Sequence, residues 1–320
     1  MTLAPELVSR DHRGRMHPWI GLSLMLEDDF RLAAGPLFAE GVVDVLEWSF
    51  DTGWGRAIPE WADALLDHYG EAGRLLGHGV HYSAFSARWE ERQARWLERL
   101  AGEVARRTYV HVSEHYGFMT AAPFMRGAPL PVPRGEASRS VGRDRLERMR
   151  AVLAAGRNDA CPIGLENLAL AWNRDEALAH GAFLGEVLDH AEDFIVLDVH
   201  NLHCQIENFD IDPDELLDSF PAARIRELHV SGGSFLPAWP HHPEETVRCD
   251  THDGDVPAPV FDLLERALDR FPDVRAVILE RLGGTLRTQA DIDTFRRDYL
   301  RVKQIVDHSR DGEGARDGDG

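Results

Sequence analysis

The chain has 320 residues, 43% of them hydrophobic, and only three cysteines, Cys161, Cys204 and Cys249, set far apart. That is enough chain for one large core, and the scattered cysteines exclude a disulfide framework or a thiolate zinc knot. A formal charge of -20 excludes nucleic acid and anionic membrane as general partners. No run of ~18 apolar residues and no apolar signal core is present, so a cytoplasmic protein is expected.

After a polar leader over residues 1–18, Trp19 to Leu24 reads as a first strand and Phe30 to Glu40 as a helix weakened by Gly35-Pro36. Val42 to Ser49 is a second strand. A helix from Pro59 to Gly73 keeps Trp61, Leu65, Leu66 and Tyr69 on one face, and Leu75 to Val80 is the third strand. Trp89, Trp96, Leu97, Leu100 and Val104 mark an amphipathic helix from about Ala87 to Arg107, with strand four from Tyr109 to Ser113. Tyr116 to Ser138 carries Pro123, Pro129, Pro131 and Pro133 without a clear period, and reads as an irregular loop and candidate lid.

A helix through Leu146, Met149, Val152 and Leu153 leads to strand five, Ile163 to Leu165. Another, through Leu178, Phe183, Leu184, Val187 and Leu188, leads to the most strongly patterned stretch, Phe194-Ile195-Val196-Leu197-Asp198-Val199-His200-Asn201. Four apolar residues ended by an acid read as a strand buried on both faces, on which Asp198 and His200 would share one side. Leu216, Leu217 and Phe220 form a short helix before strand seven, Ile225 to Val230. A second long loop, Ser231 to Pro257, precedes a helix through Val260, Leu263, Leu264 and Leu268, then strand eight, Ala276 to Leu279. The last helix uses Ile292, Phe295, Tyr299, Val302 and Val306, and the tail from Ser309 is expected to be disordered. Eight strands alternating with helices are the count of an α/β fold of the (β/α)8 TIM barrel type, expected as a single domain over residues 19–308.

Apolar runs end in an acid or a histidine at Glu47, His78, Glu114-His115, Glu166, Asp198, His229 and Glu280, and a loop adds Asp250-Thr251-His252. A parallel barrel gathers such ends at its C-terminal mouth. Four carboxylates there, Glu166, Asp198, Asp250 and Glu280, at spacings of ~5 Å and an effective dielectric of ~20, repel by about 3 kcal/mol per pair, or ~20 kcal/mol in all. That exceeds the ~5–15 kcal/mol stability of a domain, so protons or cations must join them. Histidine beside carboxylate suits Fe, Mn, Zn or Co, and so many donors imply more than one ion. Adjacent strand residues face opposite ways, which sends His115 to the mouth and leaves Glu114 in a supporting role. His200 and His203 are candidate outer hydrogen-bonding or substrate-contacting groups. His81, His111, His241 and His242 read as surface or core residues, and Glu47 as structural, with substrate contact the lesser alternative.

His78-Gly79-Val80 with Ser83, Ser113-Glu114-His115, Leu165-Glu166-Asn167, Leu197-Asp198-Val199 with Asn201, Glu227-Leu228-His229-Val230 with Gly232, Asp250-Thr251-His252 and Leu279-Glu280-Arg281 follow one another in an order similar to that of the multinuclear non-haem iron-dependent oxidases. The resemblance spans about Trp19 to Arg281. It implies a xylose-isomerase-like barrel holding two or three irons, mixed Fe2+/Fe3+, with O2 as co-substrate. The substrate it implies is a ribosomally synthesised precursor peptide, modified at a cysteine or an acidic residue and delivered by a small peptide-recognition partner protein. It further implies metal ligation by His78, His115, Glu166, Asp198, His229, Asp250, His252 and Glu280, with Asn201 an additional ligand. The chain departs from the family pattern in lacking a histidine around Leu22 to Glu27, and in carrying His200 and Gly233. Readings that stay open are a divalent-metal sugar isomerase or epimerase, an endonuclease IV-like phosphodiesterase, and a non-catalytic metal-binding or regulatory barrel.

Overall fold

The computed structural model describes residues 17–121, 124–156, 161–239 and 242–311, with the side chains of 121, 124–128, 239, 310 and 311 left out. Twelve strands are present among them: β1 (Trp19–Ser23), β2 (Val45–Trp48), β3 (Leu75–Gly79), β4 (Val112–His115), β5 (Phe118–Ala121), β6 (Phe124–Leu130), β7 (Ile163–Glu166), β8 (Phe194–Asp198), β9 (Ile225–Val230), β10 (Phe235–Trp239), β11 (His242–Arg248) and β12 (Ala276–Leu279). Eight of these close a barrel in the order β1-β12-β9-β8-β7-β4-β3-β2, every neighbouring pair parallel. The expected (β/α)8 barrel is the fold.

Local chemistry explains the elements. β8 is apolar from Phe194 to Leu197 and buried along its whole length to Asp198, as a strand covered by helices outside and barrel inside must be. The helix Glu91–Arg106 starts where the Glu90 and Gln93 side chains cap each other's backbone, and it buries Trp96, Leu100 and Val104 on one stripe. That cap trims the helix from the expected Ala87 start. The last helix, Gln289–Asp311, ties the barrel's seam: Tyr299 Oη donates to Val42 O at 2.9 Å, and Phe295 packs edge-on against Phe30.

The barrel has two apolar compartments. The larger lies between sheet and helices; the smaller, Val45, Leu76, Ala276 and Ile278 with Trp19 and Val110, fills the barrel floor at the N-terminal ends of the strands. Above that floor the interior turns polar. Two glycines make the interior passable: a Cβ at Gly21 would lie 2.4 Å from Val45 O, and one at Gly164 would lie 2.6 Å from the Phe194 ring.

Several expectations are corrected. Tyr116–Ser138 is not an irregular loop: it contains the antiparallel hairpin β5–β6 and the first turn of the helix Glu136–Ala155. Ser231–Pro257 likewise contains the hairpin β10–β11. Prolines conceal alternation, and a two-stranded ribbon has no continuous apolar face to betray it. Strand four starts later and runs to His115. The helix expected through Leu178 to Leu188 is two, Arg174–Leu178 and His180–Val187. β8 stops at Asp198, and the helix Val199–Phe209 begins at once, so His200 stands on a helix rather than two residues along a strand. The last helix runs to Asp311, past the expected start of the tail. The leader through Met16, the remaining tail, Pro123 and His241 lie outside the described residues.

The glycines yield opposite signs on substitution. Gly102, in the helix Glu91–Arg106 with open space around it, should stabilise the chain by up to ~1 kcal/mol as Gly102→Ala. Gly164→Ala forces a methyl into Phe194 and Ser113 and should cost about 1–3 kcal/mol. Urea midpoints of the two variants against the parent test both.

Candidate metal centre

The strand alternation that puts every second side chain inside the barrel delivers His78 from β3, His115 from β4, Glu166 from β7, Asp198 from β8, His229 from β9 and Glu280 from the end of β12 to one mouth. His78 Nε2 and His115 Nε2 lie 3.3 and 3.4 Å from Glu166 Oε2. His229 Nδ1 lies 3.3 Å from Glu280 Oε2 and 3.8 Å from Glu166 Oε1. His252 Nε2 lies 2.8 Å from Asp250 Oδ1, and its Nδ1 lies 3.8 Å from Glu280 Oε2. The predicted ligands therefore converge, and four groups of possible donors overlap: His78/His115/Glu166, Glu166/Asp198/His229, Asp198/His252/Glu280 and Glu47/His229/Glu280.

Donor chemistry fits metal ions. Glu166 Oε2, Asp198 Oδ2, Asn201 Oδ1, His229 Nδ1 and Glu280 Oε2 are buried without a hydrogen-bond partner. The close approaches above are not aligned as hydrogen bonds, and such atoms are costly unless a cation satisfies them. Ring orientation agrees. Ser113 Oγ donates to Gly77 O, so it accepts from His78 Nδ1 at 2.8 Å, and His115 Nδ1 donates to Gly79 O at 3.4 Å. Both rings thus turn the Nε2 lone pair inward.

The electrostatics of the metal-free chain record the same crowding. Burial, then neighbouring acids, holds the Glu166 and Asp198 carboxyls well above the usual range. Burial, then the neighbouring histidines, pulls His78 well below its ordinary value, and burial likewise lowers His115. For His229 and His252 burial alone would act downward too, but Glu47 and Glu280 in one case and Asp250 and Glu280 in the other raise them well above it. Protons gather where cations fit.

Residues outside the mouth hold this arrangement. Asn167 grips Asp198 on both sides, accepting its N–H at 2.7 Å and donating to its carbonyl at 3.2 Å; its role had no signal beyond its place beside Glu166. Glu114 faces away from the mouth, as alternation requires. It is fully buried and accepts the N–H groups of His115 and Tyr82, while Asp51 accepts those of Val80 and His81, so two acids pin the turn after β3. Ser83, at φ 58°, accepts the N–H groups of Met119 and Thr120 and fastens the hairpin β5–β6 to that turn.

Asp198 does double service, its Oδ1 accepting Asn201 N–H as the cap of the helix Val199–Phe209. This brings Asn201 to the mouth, where Nδ2 donates to Asn167 O at 3.0 Å and Oδ1 is left open. His200, fully buried, meets Asp250 Oδ1 through Nδ1 at 3.0 Å. A Cβ at residue 233 would lie 2.7 Å from His200 Cε1, so the two departures from the family pattern are in contact. His203 stands farther off, its ring 6.2 Å from that of His200. His81 and His242 lie at the surface as expected. Glu47 and His111 are buried interior residues, in keeping with a structural reading of the one and a core reading of the other: Glu47 Oε2 lies 3.1 Å from His229 Nε2, and His111 Nε2 lies 2.7 Å from Glu227 Oε2 inside the barrel. Glu227, part of the same motif as His229, stands two residues before it, which puts both on one face of the strand.

Beside the cluster opens a cavity of about 420 Å³, with His78, His115, Glu166 and Glu280 on one wall and Leu24, Met25, Trp48, Met119, Leu168 and Leu236 among its apolar lining. That volume falls in the range of small-ligand sites. Met119 belongs to β5 and Leu236 to β10, so both hairpins border the mouth. At the rim Arg56 pairs with Glu27 at 2.7 Å.

The protonation pattern has a sign that can be measured. Glu166, Asp198, His229 and His252 each hold their proton more tightly folded than unfolded, so their contribution to stability falls as pH rises from the unfolded value. His78 and His115 act in the opposite sense only below about pH 6.5. Between pH 6.5 and 8.5 the chelated protein should lose urea stability, and divalent metal should flatten the slope. A chelated protein with a constant midpoint over that range would contradict this account.

The relatives agree with the fold and give it a family. A UPF0276 protein of Caulobacter vibrioides is 30% identical over 237 residues, 74% of this chain and 77% of that one. Among solved structures, the IOLI protein with a bound zinc atom matches 93% of this chain and 99% of its own with a TM-score of 0.56 at 12% identity. A xylose isomerase domain protein from Alicyclobacillus acidocaldarius subsp. acidocaldarius matches 91% and 99% with a TM-score of 0.53 at 14% identity. Both likenesses are of fold. No helix among the described residues is long and apolar enough to cross a membrane. Residues 56–292 match the profile of the RiPP precursor modification enzymes MbnB/TglH/ChrH, and the chain belongs to that family, whose members act on ribosomally made precursor peptides.

Proposed function

We propose that this chain is an O2-dependent oxidase that uses two or three irons, mixed Fe2+/Fe3+, to modify a cysteine or an acidic residue of a ribosomal precursor peptide. His78, His115, Glu166, Asp198, His229, Asp250, His252 and Glu280 would hold the irons, with Asn201 Oδ1 a further donor. The observation that carries this reading is the overlap of the donor groups through Glu166 and Asp198, because each of these carboxylates belongs to two groups and keeps one oxygen buried without a partner, which suits neighbouring ions rather than one. Bound iron would supply O2 activation and take up electrons from the substrate.

The chain's own residues do the rest. Ser113 and the Gly79 carbonyl orient His78 and His115, Asn167 fixes Asp198, and Asp250 fixes His252 and His200. His252 keeps that contact at φ 50°, a strained backbone for a non-glycine residue. The apolar wall from Leu24 to Leu236 would receive the substrate residue and exclude water from it, and the flanking hairpins offer backbone and side chains to the peptide on either side. A small recognition protein would deliver that peptide, and the chain would work in the cytoplasm. No residue here needs to act as a nucleophile.

Elemental analysis of protein from iron-rich culture should give more than one iron per chain, and O2 uptake should require a precursor peptide. One iron or none would end the multinuclear reading, while peptide-dependent turnover without O2 under Mn or Zn would favour isomerase-type chemistry. For the ligand role, Asp198→Asn is the informative substitution, since Asn caps a helix about as well as Asp but removes the charge. It should lose metal with an unchanged circular dichroism spectrum. Asp198→Ala should in addition cost ~1 kcal/mol for the lost cap.

A further inference from the structure

Glu47 follows Val45 and Leu46 near the C-terminal end of β2, yet it does not line the cavity beside the cluster and is wholly buried inside the barrel. Its Oε2 meets His229 Nε2 at 3.1 Å, across 182 residues of sequence. A second carboxylate oxygen, Glu227 Oε1, lies 3.6 Å from the same ring nitrogen. Glu227 has its own partner, however, because its Oε2 sits 2.7 Å from His111 Nε2 nearer the barrel floor. Glu47 makes no second side-chain hydrogen bond among the described residues, and its Oε1 is left without a partner.

A neutral imidazole carries one N–H and one lone pair. Both nitrogens of His229 face carboxylates, which only accept, but Nε2 alone is aligned in a hydrogen bond, to Glu47 Oε2, so Nε2 keeps the hydrogen when a cation replaces the ring's second proton. The lone pair then falls on Nδ1, the nitrogen that looks toward Glu280 and Glu166 and has no hydrogen-bond partner. His78 and His115 are set the opposite way, with Nδ1 tied to Ser113 Oγ and Gly79 O and Nε2 facing the cluster. His229 is thus turned over relative to its neighbours, and it alone of the three is backed by a full negative charge rather than a hydroxyl or a carbonyl.

We infer that Glu47 is a positioning residue for the metal centre: it fixes the Nε2–H tautomer of His229, aims Nδ1 at the ions and strengthens that nitrogen as a donor, with the Glu227–His111 pair holding the ring from beneath. The inference rests on the metal-centre reading above and gives a supporting role to a buried carboxylate that stands outside the cavity lining. Carboxylate backing of a ligating histidine changes metal affinity by roughly 10- to 100-fold in general.

The test uses Co2+ as the probe on chelated full-length protein, read by chelator competition and by the visible d–d spectrum, in the parent, Glu47→Leu and Glu47→Gln. Leu is close in size but accepts nothing, whereas the Gln carbonyl can still accept Nε2–H. The expected result is a loss of roughly 10- to 100-fold in affinity with an altered spectrum for Leu, and parent stoichiometry and spectrum with a smaller loss for Gln. Parent-like binding by the Leu variant overturns the inference. So does a Gln variant as weak as the Leu variant, because Glu47 would then act as a ligand or as a bare charge. A parent that binds no Co2+ overturns this inference and the metal-centre reading together, whereas a parent that binds while Leu is unaffected sinks only the role of Glu47. If the Leu variant does not fold, the parent with Zn2+ and 15N-labelled histidine decides. Long-range 1H–15N correlations, assigned through His229→Gln, should put the proton on Nε2; a proton on Nδ1 overturns the inference.

Discussion

The crowding of acids within one barrel mouth governs this protein. Glu166, Asp198, Asp250 and Glu280 meet within a barrel mouth sealed below by Val45, Leu76, Ala276 and Ile278 and outside by a ring of helices. A low-dielectric enclosure magnifies their mutual repulsion, and the strand ends cannot relax apart because each is hydrogen-bonded to two neighbours in a closed sheet. The structure answers with interleaved histidines, with buried hydrogen bonds from Ser113, Asn167 and Ser231, and with an arrangement of open lone pairs that a cation completes. Fold and centre are therefore one problem: the barrel supplies rigidity, and the charge cluster needs it.

Much of this could be read from the residues, for a definite reason. A parallel barrel writes each strand as an apolar run, and a residue at the run's end is automatically at the mouth, so His78, Glu166, Asp198, His229 and Glu280 announce themselves by position alone. The alternation rule also separated His115 from Glu114 correctly. What local pattern cannot express is pairing across the barrel axis. Glu47 and His229 are 182 residues apart, and nothing near either names the other. Glu227 was within reach, since a residue two before His229 on a strand must share its face. His200 was misplaced because the strand gives way to a helix at Asp198, where the acid acts as a cap, and an acid followed three residues later by Asn201 is a weak capping signal. The hairpins stayed hidden because Pro129, Pro237 and Pro243 interrupt any alternation, and because ribbons packed on a rim have no single buried side.

Support for the centre is unequal around its circumference. On the side of β3 and β4, Glu114, Asp51 and Ser83 lock backbone N–H groups, so His78 and His115 sit on a stiff shelf. Across the mouth, Asp250 and His252 come from a loop, and their order depends on side-chain contacts with His200, Ser231 and Glu280. Loop-borne donors opposite strand-borne ones give one fixed wall and one adjustable wall, which suits a site that must admit part of a peptide and then enclose it.

The contact between His200 and residue 233 bears on how such a centre can change over generations. A side chain at 233 would meet not only His200 Cε1 at 2.7 Å but also Cys249 O at 2.3 Å and Thr251 N at 3.0 Å. The two positions are therefore not free to vary separately. A chain that carries His200 can accept nothing larger than glycine at 233 unless the segment leading into Asp250 moves as well, while a smaller residue at 200 relieves only part of the collision. A larger residue at 233 therefore demands two changes together, a smaller residue at 200 and a shift of the segment at Cys249.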